Sequence, residues 1–214
     1  MGYKLVVFDG DETLIDSDVL ISLGERAGVE EELSTFHERT WRGEMDPMEA
    51  LRELVTLLEG LPVETVTQVV QSRPISPGAR SVCRRLTCET AVFTSLSRQA
   101  DRLAAAIDAD YAFGNRLLSE DGVLTGEIRG DIVDDGKLPT LRRLVRDIGI
   151  SPDEVVVVGD GPQDVPMFEF AGFAIGVDPK PAAREAADAV VEARDFTRIE
   201  PYFRERGLVA DAGD

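Results

Sequence analysis

The stretch Lys4-Leu-Val-Val-Phe-Asp-Gly-Asp-Glu-Thr13 decides the fold class of this 214-residue chain. Its first half is a short run of apolar and β-branched residues, the pattern of a buried β-strand. Its second half places two aspartates, Asp9 and Asp11, directly after that strand. Because ligands bind beyond the carboxyl ends of the strands in an open parallel sheet, the two carboxylates mark a candidate functional site.

Further along the chain, strand-like segments alternate with helical ones. Strands are predicted at residues 90–94, 111–116, 123–129, 155–158, 173–177 and 189–191, and helices at 97–107, 137–148, 164–171 and 181–187. This alternation predicts the α/β class, with a Rossmann-like parallel sheet covered by helices on both faces. Residues 17–73 have helical spacing instead. We therefore expect a core domain, residues 1–16 and 74–214, and a helical cap domain, residues 17–73, inserted after the first strand.

The composition narrows the possible functions. The chain has 41 acidic and 23 basic residues, a formal charge of −18, and its basic residues are 20 arginines and only three lysines. An acidic, lysine-poor surface is typical of a halophilic protein, which stays soluble in concentrated salt because self-repulsion is screened. An ordinary acidic protein encoded by a GC-rich genome is the alternative. In both cases nucleic acid and anionic membranes are unfavourable partners.

The chain also lacks the sequence features of a membrane or secreted protein. No apolar run reaches the roughly 20 residues that span a bilayer, and the first residues do not resemble a secretory signal. Cys83 and Cys88 are the only cysteines and are not spaced as metal ligands, which favours reduced thiols. We therefore expect a cytoplasmic protein that is a monomer or a homodimer.

Polar side chains suited to a single reaction follow three of the predicted strands. The residues expected to meet at this edge of the sheet are Asp9, Asp11, Thr94, Ser95, Asp160 and Asp164, joined by Lys137 at the start of a helix. Carboxylates gathered in this way repel one another unless a cation holds them. A site lined by hard oxygen ligands suits Mg²⁺.

The same groups fit phosphoryl transfer to water. A cation would neutralise a phosphoryl group approaching a negatively charged carboxylate, while a hydroxyl, a backbone N–H and a lysine would hold its oxygens. An aspartate nucleophile would form an acyl-phosphate, which water then hydrolyses. A second carboxylate, two residues further on, would protonate the leaving oxygen and then activate that water.

These motifs resemble those of the haloacid dehalogenase (HAD) superfamily phosphatases. The segment Asp9-Gly-Asp-Glu-Thr13 resembles their first motif, Asp-x-Asp-x-Thr, and Thr94 resembles their second. Lys137 is similar to the third motif, and Gly159-Asp-Gly-Pro-Gln-Asp164 to the fourth. Order and spacing agree over roughly residues 4–203. Within the superfamily, residues 110–126 and the helical insertion resemble the phosphoserine phosphatase branch.

The resemblance implies a HAD-like core and a role for each residue. Asp9 would be the nucleophile and a Mg²⁺ ligand, and Asp11 would be the acid/base that also binds the metal through its backbone carbonyl. Asp160 would be a direct metal ligand. The residues expected to hold the phosphoryl oxygens are Thr94, Ser95 through its amide, and Lys137. Those expected to support the site are Thr13, Gln163 and Asp164.

The sequence departs from the phosphoserine phosphatase pattern where the substrate binds. That branch has a Glu nine residues after the nucleophile, to hold the substrate amine, and this position is Asp18 here. It also has an Arg that pairs with the substrate carboxylate, where this chain has Leu54. Arg52 is nearby in sequence but would lie on a different face of the helix. Trp41 takes the place of a residue that lines the substrate pocket.

We therefore predict a Mg²⁺-dependent phosphatase that acts through an aspartyl-phosphate on a small phosphomonoester other than phosphoserine. One alternative is a genuine phosphoserine phosphatase of serine biosynthesis, in which Asp18 and another Arg restore binding. The other is a catalytically silent, phosphate-binding paralogue. The presence of Asp11 disfavours the catalytically silent alternative, because catalysis needs this residue more than phosphate binding does.

Overall fold

The computed structural model describes residues 2–42 and 44–209. Seven strands form one sheet: β1 (Leu5–Asp9), β2 (Glu89–Leu96), β3 (Tyr111–Glu120), β4 (Val123–Arg129), β5 (Val155–Gly159), β6 (Phe173–Val177) and β7 (Ala189–Val191). Their spatial order is β4-β3-β2-β1-β5-β6-β7. The paired strands are parallel except for β3 and β4, which form an antiparallel hairpin. The predicted α/β class with a Rossmann-like parallel sheet is confirmed.

The strand that carries the opening motif lies in the middle of the sheet. Every residue of β1 is buried, because the strand pairs with β2 on one side and with β5 on the other. Val6 and Phe8 point to the apolar core on one face, and Leu5 and Val7 point to the core on the opposite face. A strand buried on both faces needs apolar residues at successive positions, which explains its sequence.

Four helices lie among the described residues of the interval 17–73, which follows β1: α1 (Val19–Ala27), α2 (Glu30–Trp41), α3 (Pro47–Thr56) and α4 (Val63–Ser72). Two of them begin at an aspartate whose side chain accepts hydrogen bonds from backbone N–H groups of the first turn, Asp18 for α1 and Asp46 for α3. These helices fall within the segment predicted to be the cap. The division into cap and core domains stays a prediction.

Backbone hydrogen bonds join this helical segment to the tip of the β3–β4 hairpin. The N–H of Gly60 donates to the carbonyl of Leu124, and the N–H of Val63 donates to the carbonyl of Gly122, each at 2.9 Å. In the other direction, the N–H of Leu124 donates to Leu61 O at 2.9 Å. The connection between α3 and α4 is therefore fixed against the edge of the sheet.

Further helices cover both faces of the sheet. On the face that contains Phe8 lie α5 (Ala79–Cys83), α6 (Ser97–Ile107) and, from the end of the chain, a helix at Glu200–Glu205. After the hairpin, α7 (Asp131–Asp135) leads into α8 (Lys137–Asp147), which covers the opposite face with α9 (Val165–Phe170) and α10 (Pro181–Ala186). The helix near the end of the chain, Glu200–Glu205, follows these in chain order and is called α11. No helix among these described residues is both long and apolar enough to cross a bilayer.

Several short elements were not predicted from the sequence. Residues 10–14 form a wide turn directly after β1, closed by the N–H of Ile15, which donates to Gly10 O at 3.1 Å. Helices α5, α7 and α11 have only five or six residues each. Segments of this length contain few residues from which a helical period can be recognised, although α9 and α10, with six residues each, were predicted. Strand β3 continues to Glu120, beyond its predicted end at Arg116, because its second half pairs with β4.

Candidate active site

The opening motif leaves the middle of the sheet at the carboxyl ends of the strands. Asp9 is the last residue of β1, and Asp160 directly follows the neighbouring β5. Asp164 folds back toward this strand end, where its Oδ2 accepts from the N–H groups of Asp160 at 3.2 Å and Gly161 at 3.1 Å. Gly159 leaves room for it, since a Cβ at that position would lie 2.5 Å from Asp164 Oδ2.

Asp9, Asp160 and Asp164 form a buried acidic cluster. One carboxylate oxygen of each lies within 4.8 Å of the others, and the three residues are 5%, 4% and 1% exposed. Lys137, the first residue of α8, bridges two of them. Its Nζ donates to Asp9 Oδ1 at 2.6 Å and to Asp164 Oδ1 at 2.7 Å. Residues predicted from three separate segments therefore meet at one place.

Burial and repulsion shift the pKa values of this cluster. Burial, followed by the charge of Asp164, raises the pKa of Asp9 well above its ordinary value. The same two causes raise the pKa of Asp160 to about 6. For Lys137, burial alone would lower the pKa, but the carboxylates of Asp164 and Asp9 outweigh it and raise the pKa. The two acids therefore have a stronger tendency than exposed carboxylates to take up a proton or a cation.

A hard divalent cation fits this set of donor atoms. Mg²⁺ prefers oxygen ligands and is usually held by one or two carboxylates, together with water and phosphate oxygens. Asp9, Asp160 and Asp164 offer buried carboxylate oxygens, and a dication would offset the repulsion that raises their pKa values. The Asp11 carboxylate is not part of this cluster. Its predicted contribution to the metal, through the backbone carbonyl, stays a prediction.

A cavity of about 160 Å³ opens at the acidic cluster. The strand ends and neighbouring loops supply its polar lining: Asp9, Asp11, Glu12, Ser95, Lys137, Asp160, Asp164 and Lys180. Helices α1 and α3 supply a mainly apolar wall: Leu20, Ile21, Met48, Ala50, Leu51 and Leu54. The volume lies below the roughly 300 Å³ of the smaller drug-binding pockets, so the cavity suits a small metabolite.

The Asp11 carboxylate is held by four hydrogen-bond donors. Its Oδ2 accepts from the hydroxyls of Thr94 at 2.8 Å and Ser95 at 2.9 Å. Its Oδ1 accepts from Gln99 Nε2 at 2.8 Å and from the backbone N–H of Val19 at 3.0 Å. These contacts come from β2, α6 and α1, so the predicted acid/base is fixed by three separate parts of the chain.

The predicted phosphate ligands of the second motif both contact Asp11. Thr94 is fully buried, and its hydroxyl donates to the Asp11 carboxylate. Ser95 is half-buried and lines the cavity. Their roles toward phosphate stay predictions. Gln99 was not predicted from the sequence, because a single glutamine in the first turn of a helix gives no signal of its own.

A second lysine, also not predicted, reaches the acidic cluster. Lys180 Nζ donates to Asp160 Oδ2 at 2.9 Å and to Glu12 Oε2 at 2.5 Å. Burial would lower the pKa of Lys180, but the charges of Asp160 and Glu12 raise it. The scarcity of lysine was the available signal: of the three lysines in the chain, Lys137 and Lys180 both lie in this site.

The residues predicted to support the site lie around the acidic cluster. Thr13 is buried, and its hydroxyl donates to Asp160 Oδ1 at 3.2 Å. Gln163 is exposed and lines the cavity. The side chain of Trp41 lies outside the part of the chain that the structure describes, so its predicted place in the pocket stays a prediction.

Asp18 lies between the loop that follows β1 and the helix α1. It lines the cavity, and its Oδ1 accepts from the N–H groups of Leu20 at 2.7 Å and Ile21 at 3.3 Å. Burial, followed by the charge of Asp11, raises the pKa of Asp18 to about 7. A positively charged group in the cavity would favour the ionised form of this carboxyl.

The two residues of α3 singled out in the sequence face different surroundings. Leu54 is buried and lines the cavity. Arg52 is directed to α7, where its Nη2 donates to Val133 O at 2.7 Å and to Asp134 Oδ1 at 3.0 Å. The expectation that Arg52 lies on a different helix face agrees with these contacts.

A known family matches the part of the chain that contains the four motifs. Residues 6–169 match the family model described as haloacid dehalogenase-like hydrolase. The chain belongs to this HAD family. The matched residues include every member of the acidic cluster and Lys137. The family resemblance inferred from the four motifs is confirmed.

Relatives place this HAD chain in one branch of the family. A phosphoserine phosphatase of Methanocaldococcus jannaschii is 32% identical over 206 residues, which cover 94% of this chain and 98% of that protein. One of Halobacterium salinarum is 38% identical over 199 residues, which cover 89% and 93%. A phosphoserine phosphatase of Archaeoglobus fulgidus is 40% identical over 201 residues, but the chain spans only 58% of that protein. The chain is thus a HAD phosphatase of the phosphoserine phosphatase branch.

Solved structures agree with this placement. A phospho-aspartyl intermediate analogue of phosphoserine phosphatase has a TM-score of 0.87 and 32% identity, covering 94% of this chain and 99% of that one. A substrate-bound phosphoserine phosphatase complex has the same TM-score and coverage at 31% identity. The prediction of a substrate other than phosphoserine finds no support in these relatives, and the alternative fits them better.

Proposed function

We propose that this HAD phosphatase hydrolyses O-phosphoserine, with Asp9 as the nucleophile and Mg²⁺ as the cofactor. The observation that carries the proposal is the buried cluster of Asp9, Asp160 and Asp164, which holds Lys137 beside a small cavity. The choice of substrate is supported by the relatives named phosphoserine phosphatase, which align along nearly the whole chain.

The first half of the reaction transfers the phosphoryl group to Asp9. A carboxylate oxygen of Asp9 forms a bond to phosphorus while the bond from phosphorus to the serine oxygen breaks. Asp11, in its protonated form, gives its proton to that leaving oxygen. Lys137 is placed to hold a phosphoryl oxygen, since its Nζ lies 2.6 Å from Asp9 Oδ1.

The second half returns the site to its starting state. A water molecule gives a proton to Asp11 while its oxygen forms a bond to phosphorus and the bond to Asp9 breaks. The products are serine and inorganic phosphate, and both aspartates regain their initial protonation. Mg²⁺, when bound, would offset the charge repulsion between the phosphoryl oxygens and the carboxylates.

Asp18 is the proposed partner of the substrate amine. It is an acid that lines the cavity beside the apolar wall of α1 and α3. An ammonium group held there would lower the raised pKa of Asp18 and stabilise its charged form. Two of its backbone hydrogen bonds already fix the carboxylate at the start of α1, so little ordering of this side chain is needed when substrate binds.

The cytoplasm is the proposed location. Cys83 and Cys88 are both free thiols, as expected in a reducing compartment. Burial raises the pKa of Cys88 to about 11, which makes its thiol unreactive at neutral pH. Whether the chain is a monomer or a homodimer stays a prediction.

One observation favours a second candidate substrate. Leu54 takes the place at which the phosphoserine branch is expected to hold the substrate carboxylate, and Arg52 is occupied by α7. No arginine is found among the described residues that line the cavity. Asp18 and an apolar wall suit a phosphomonoester that has an amine but no carboxylate, such as phosphoethanolamine.

Steady-state kinetics on matched substrates tests both candidates. Phosphoserine, phosphoethanolamine and glycerol 3-phosphate differ in the presence of the carboxylate and the amine, and are compared at the same high salt and Mg²⁺ concentration. We expect the highest kcat/KM for phosphoserine. A higher value for phosphoethanolamine would establish the second candidate. Hydrolysis of none of the three would contradict both and favour the silent paralogue.

A further inference from the structure

Gln99 is a buried polar residue that the steps described above do not use. It lies in the first turn of α6 and is fully buried. Its Nε2 lies 2.8 Å from Asp11 Oδ1 and 3.3 Å from Thr94 Oγ1. Its Oε1 is buried without a hydrogen-bond partner among the described residues. Because an unpaired buried acceptor is destabilising, the contact of Nε2 with Asp11 is what distinguishes glutamine from an apolar residue at this position.

The side chain reaches Asp11 from the protein interior. Asp11 and Ser95 line the cavity, whereas Gln99 is enclosed behind them. Ser95 and Thr94 hold one oxygen of Asp11, and Gln99 holds the other oxygen together with a backbone N–H. The plane and the direction of the Asp11 carboxylate are therefore both fixed, and Gln99 is the side chain that fixes Oδ1.

We propose that Gln99 is a positioning residue for Asp11, which it orients for proton transfer to the leaving oxygen. An amide suits this task because its planar NH2 group donates to a carboxylate oxygen in a fixed direction. Nε2 holds Oδ1, the oxygen that faces the interior, so that Oδ2 is directed to the side of the cavity. The inference rests on the proposed function, in which Asp11 gives a proton to the leaving oxygen.

Two leaving groups separate this role from a purely structural one. An alkoxide leaving from phosphoserine needs a proton, whereas p-nitrophenolate delocalises its negative charge and leaves with little assistance. A misplaced Asp11 therefore slows the release of serine from phosphoserine far more than the release of p-nitrophenolate from p-nitrophenyl phosphate, although the later hydrolysis of the aspartyl-phosphate is the same for both. A disturbed fold or metal site slows both to a similar extent.

The test compares Gln99→Met with the wild-type chain. Met has similar volume but neither polar atom, and Gln68→Met, at an exposed position of α4, is the matched control. With substrate well below KM, the rate reports only the steps up to departure of the leaving group, and we expect Gln99→Met to lower kcat/KM for phosphoserine about 30-fold or more, and kcat/KM for p-nitrophenyl phosphate less than about threefold. Gln68→Met changes neither rate. Phosphoethanolamine replaces phosphoserine if the wild-type chain prefers it.

A second variant covers the case in which Gln99→Met does not fold, as judged by circular dichroism and thermal melting. Gln99→Glu keeps the shape of the side chain and removes its N–H donors, and we expect the same selective loss. Equal losses for the two esters in a folded variant would overturn the inference. Failure of the wild-type chain to hydrolyse any of the esters would contradict the proposed function itself, and the wild-type rates distinguish the two failures.

Discussion

Among single residues, Lys180 is the clearest case of a group whose position the sequence alone did not reveal. Its ammonium lies between Glu12 and Asp160, and its backbone N–H donates to Asp160 O at 2.8 Å. An ammonium is a compact point charge, and a planar guanidinium is larger and has fixed donor directions. In a chain with 20 arginines and three lysines, this difference gives a physical reason for lysine at this position.

Replacing Lys180 with Met removes a positive charge from the edge of the cavity. We expect the Mg²⁺ concentration for half-maximal activity to fall and KM for the phosphate ester to rise, each by about three- to tenfold, because the cation and the anion respond oppositely to the lost charge. Lys4→Met is the matched control, since Lys4 pairs with Glu154 away from the site. Shifts of both quantities in the same direction would contradict this role.

The raised pKa of Asp18 predicts how the stability of the chain depends on pH. Its pKa is about 7 in the folded chain against 3.8 as an isolated side chain, so its contribution to stability is fully present below the lower value and lost as pH rises through about 7. Asn also accepts hydrogen bonds at a helix start. We expect Asp18→Asn to stabilise the metal-free chain at pH 8 by about 1–3 kcal/mol, allowing for partial exposure, with little difference near pH 4.

Urea unfolding of both chains in EDTA, at one salt concentration and several pH values, measures this difference. A stability difference that stayed constant with pH would show that Asp18 does not titrate in the folded chain as described. Taking the difference between the two chains removes the contributions of other acids whose pKa values are raised, such as Asp160.

At the scale of helices and strands, the sequence predicted the positions of those residues that the parallel sheet fixes. Asp9 and Asp160 could be placed together because each directly follows a buried parallel strand, and such strands end at one edge. The contacts of Gln99 and Lys180 could not be predicted in this way. The start of α6 was predicted correctly, but the contact of Gln99 depends on how this helix packs beside the loop after β1. The contact of Lys180 depends on the path of the loop after β6, and hydrophobic periodicity gives no information about either.

The wall that α3 contributes to the cavity leads to a prediction about substrate choice. Leu54→Arg places a guanidinium in the cavity wall, where it can pair with a carboxylate. We expect KM for phosphoserine to fall about tenfold or more, with kcat nearly unchanged, as for a gain of about 1.5 kcal/mol in binding. KM for phosphoethanolamine, which has no carboxylate, is the control and is not expected to fall. Equal changes for both substrates would contradict the assignment of this wall.

The whole molecule is strongly acidic, with a formal charge of −18. Many of its ion pairs are exposed, for example Arg143 with Asp131 and Asp135, and Arg184 with Glu192. Exposed pairs contribute little and are weakened by salt, whereas the repulsion of the net charge is relieved by salt. The second effect involves the entire surface, so we expect it to dominate.

Thermal melting in KCl measures this balance. Between about 0.1 and 2 M KCl we expect Tm to rise by about 5 °C or more, because screening relieves repulsion throughout the folded chain. KCl is preferred to a sulfate salt, which would also strengthen apolar burial. A Tm that stays constant or falls would favour the ordinary acidic protein over the halophilic one.

The central claim is that Asp9 receives the phosphoryl group. The variant Asp11→Asn should still release p-nitrophenolate, because this leaving group needs no proton. It should hydrolyse the resulting aspartyl-phosphate slowly. This variant is mixed with Mg²⁺ and p-nitrophenyl phosphate, and the reaction is then quenched with acid. We expect peptide mass spectrometry to locate one phosphoryl group on Asp9. The double variant Asp9→Asn, Asp11→Asn should carry none. Phosphorylation at another residue, or equal labelling of the double variant, would contradict the claim.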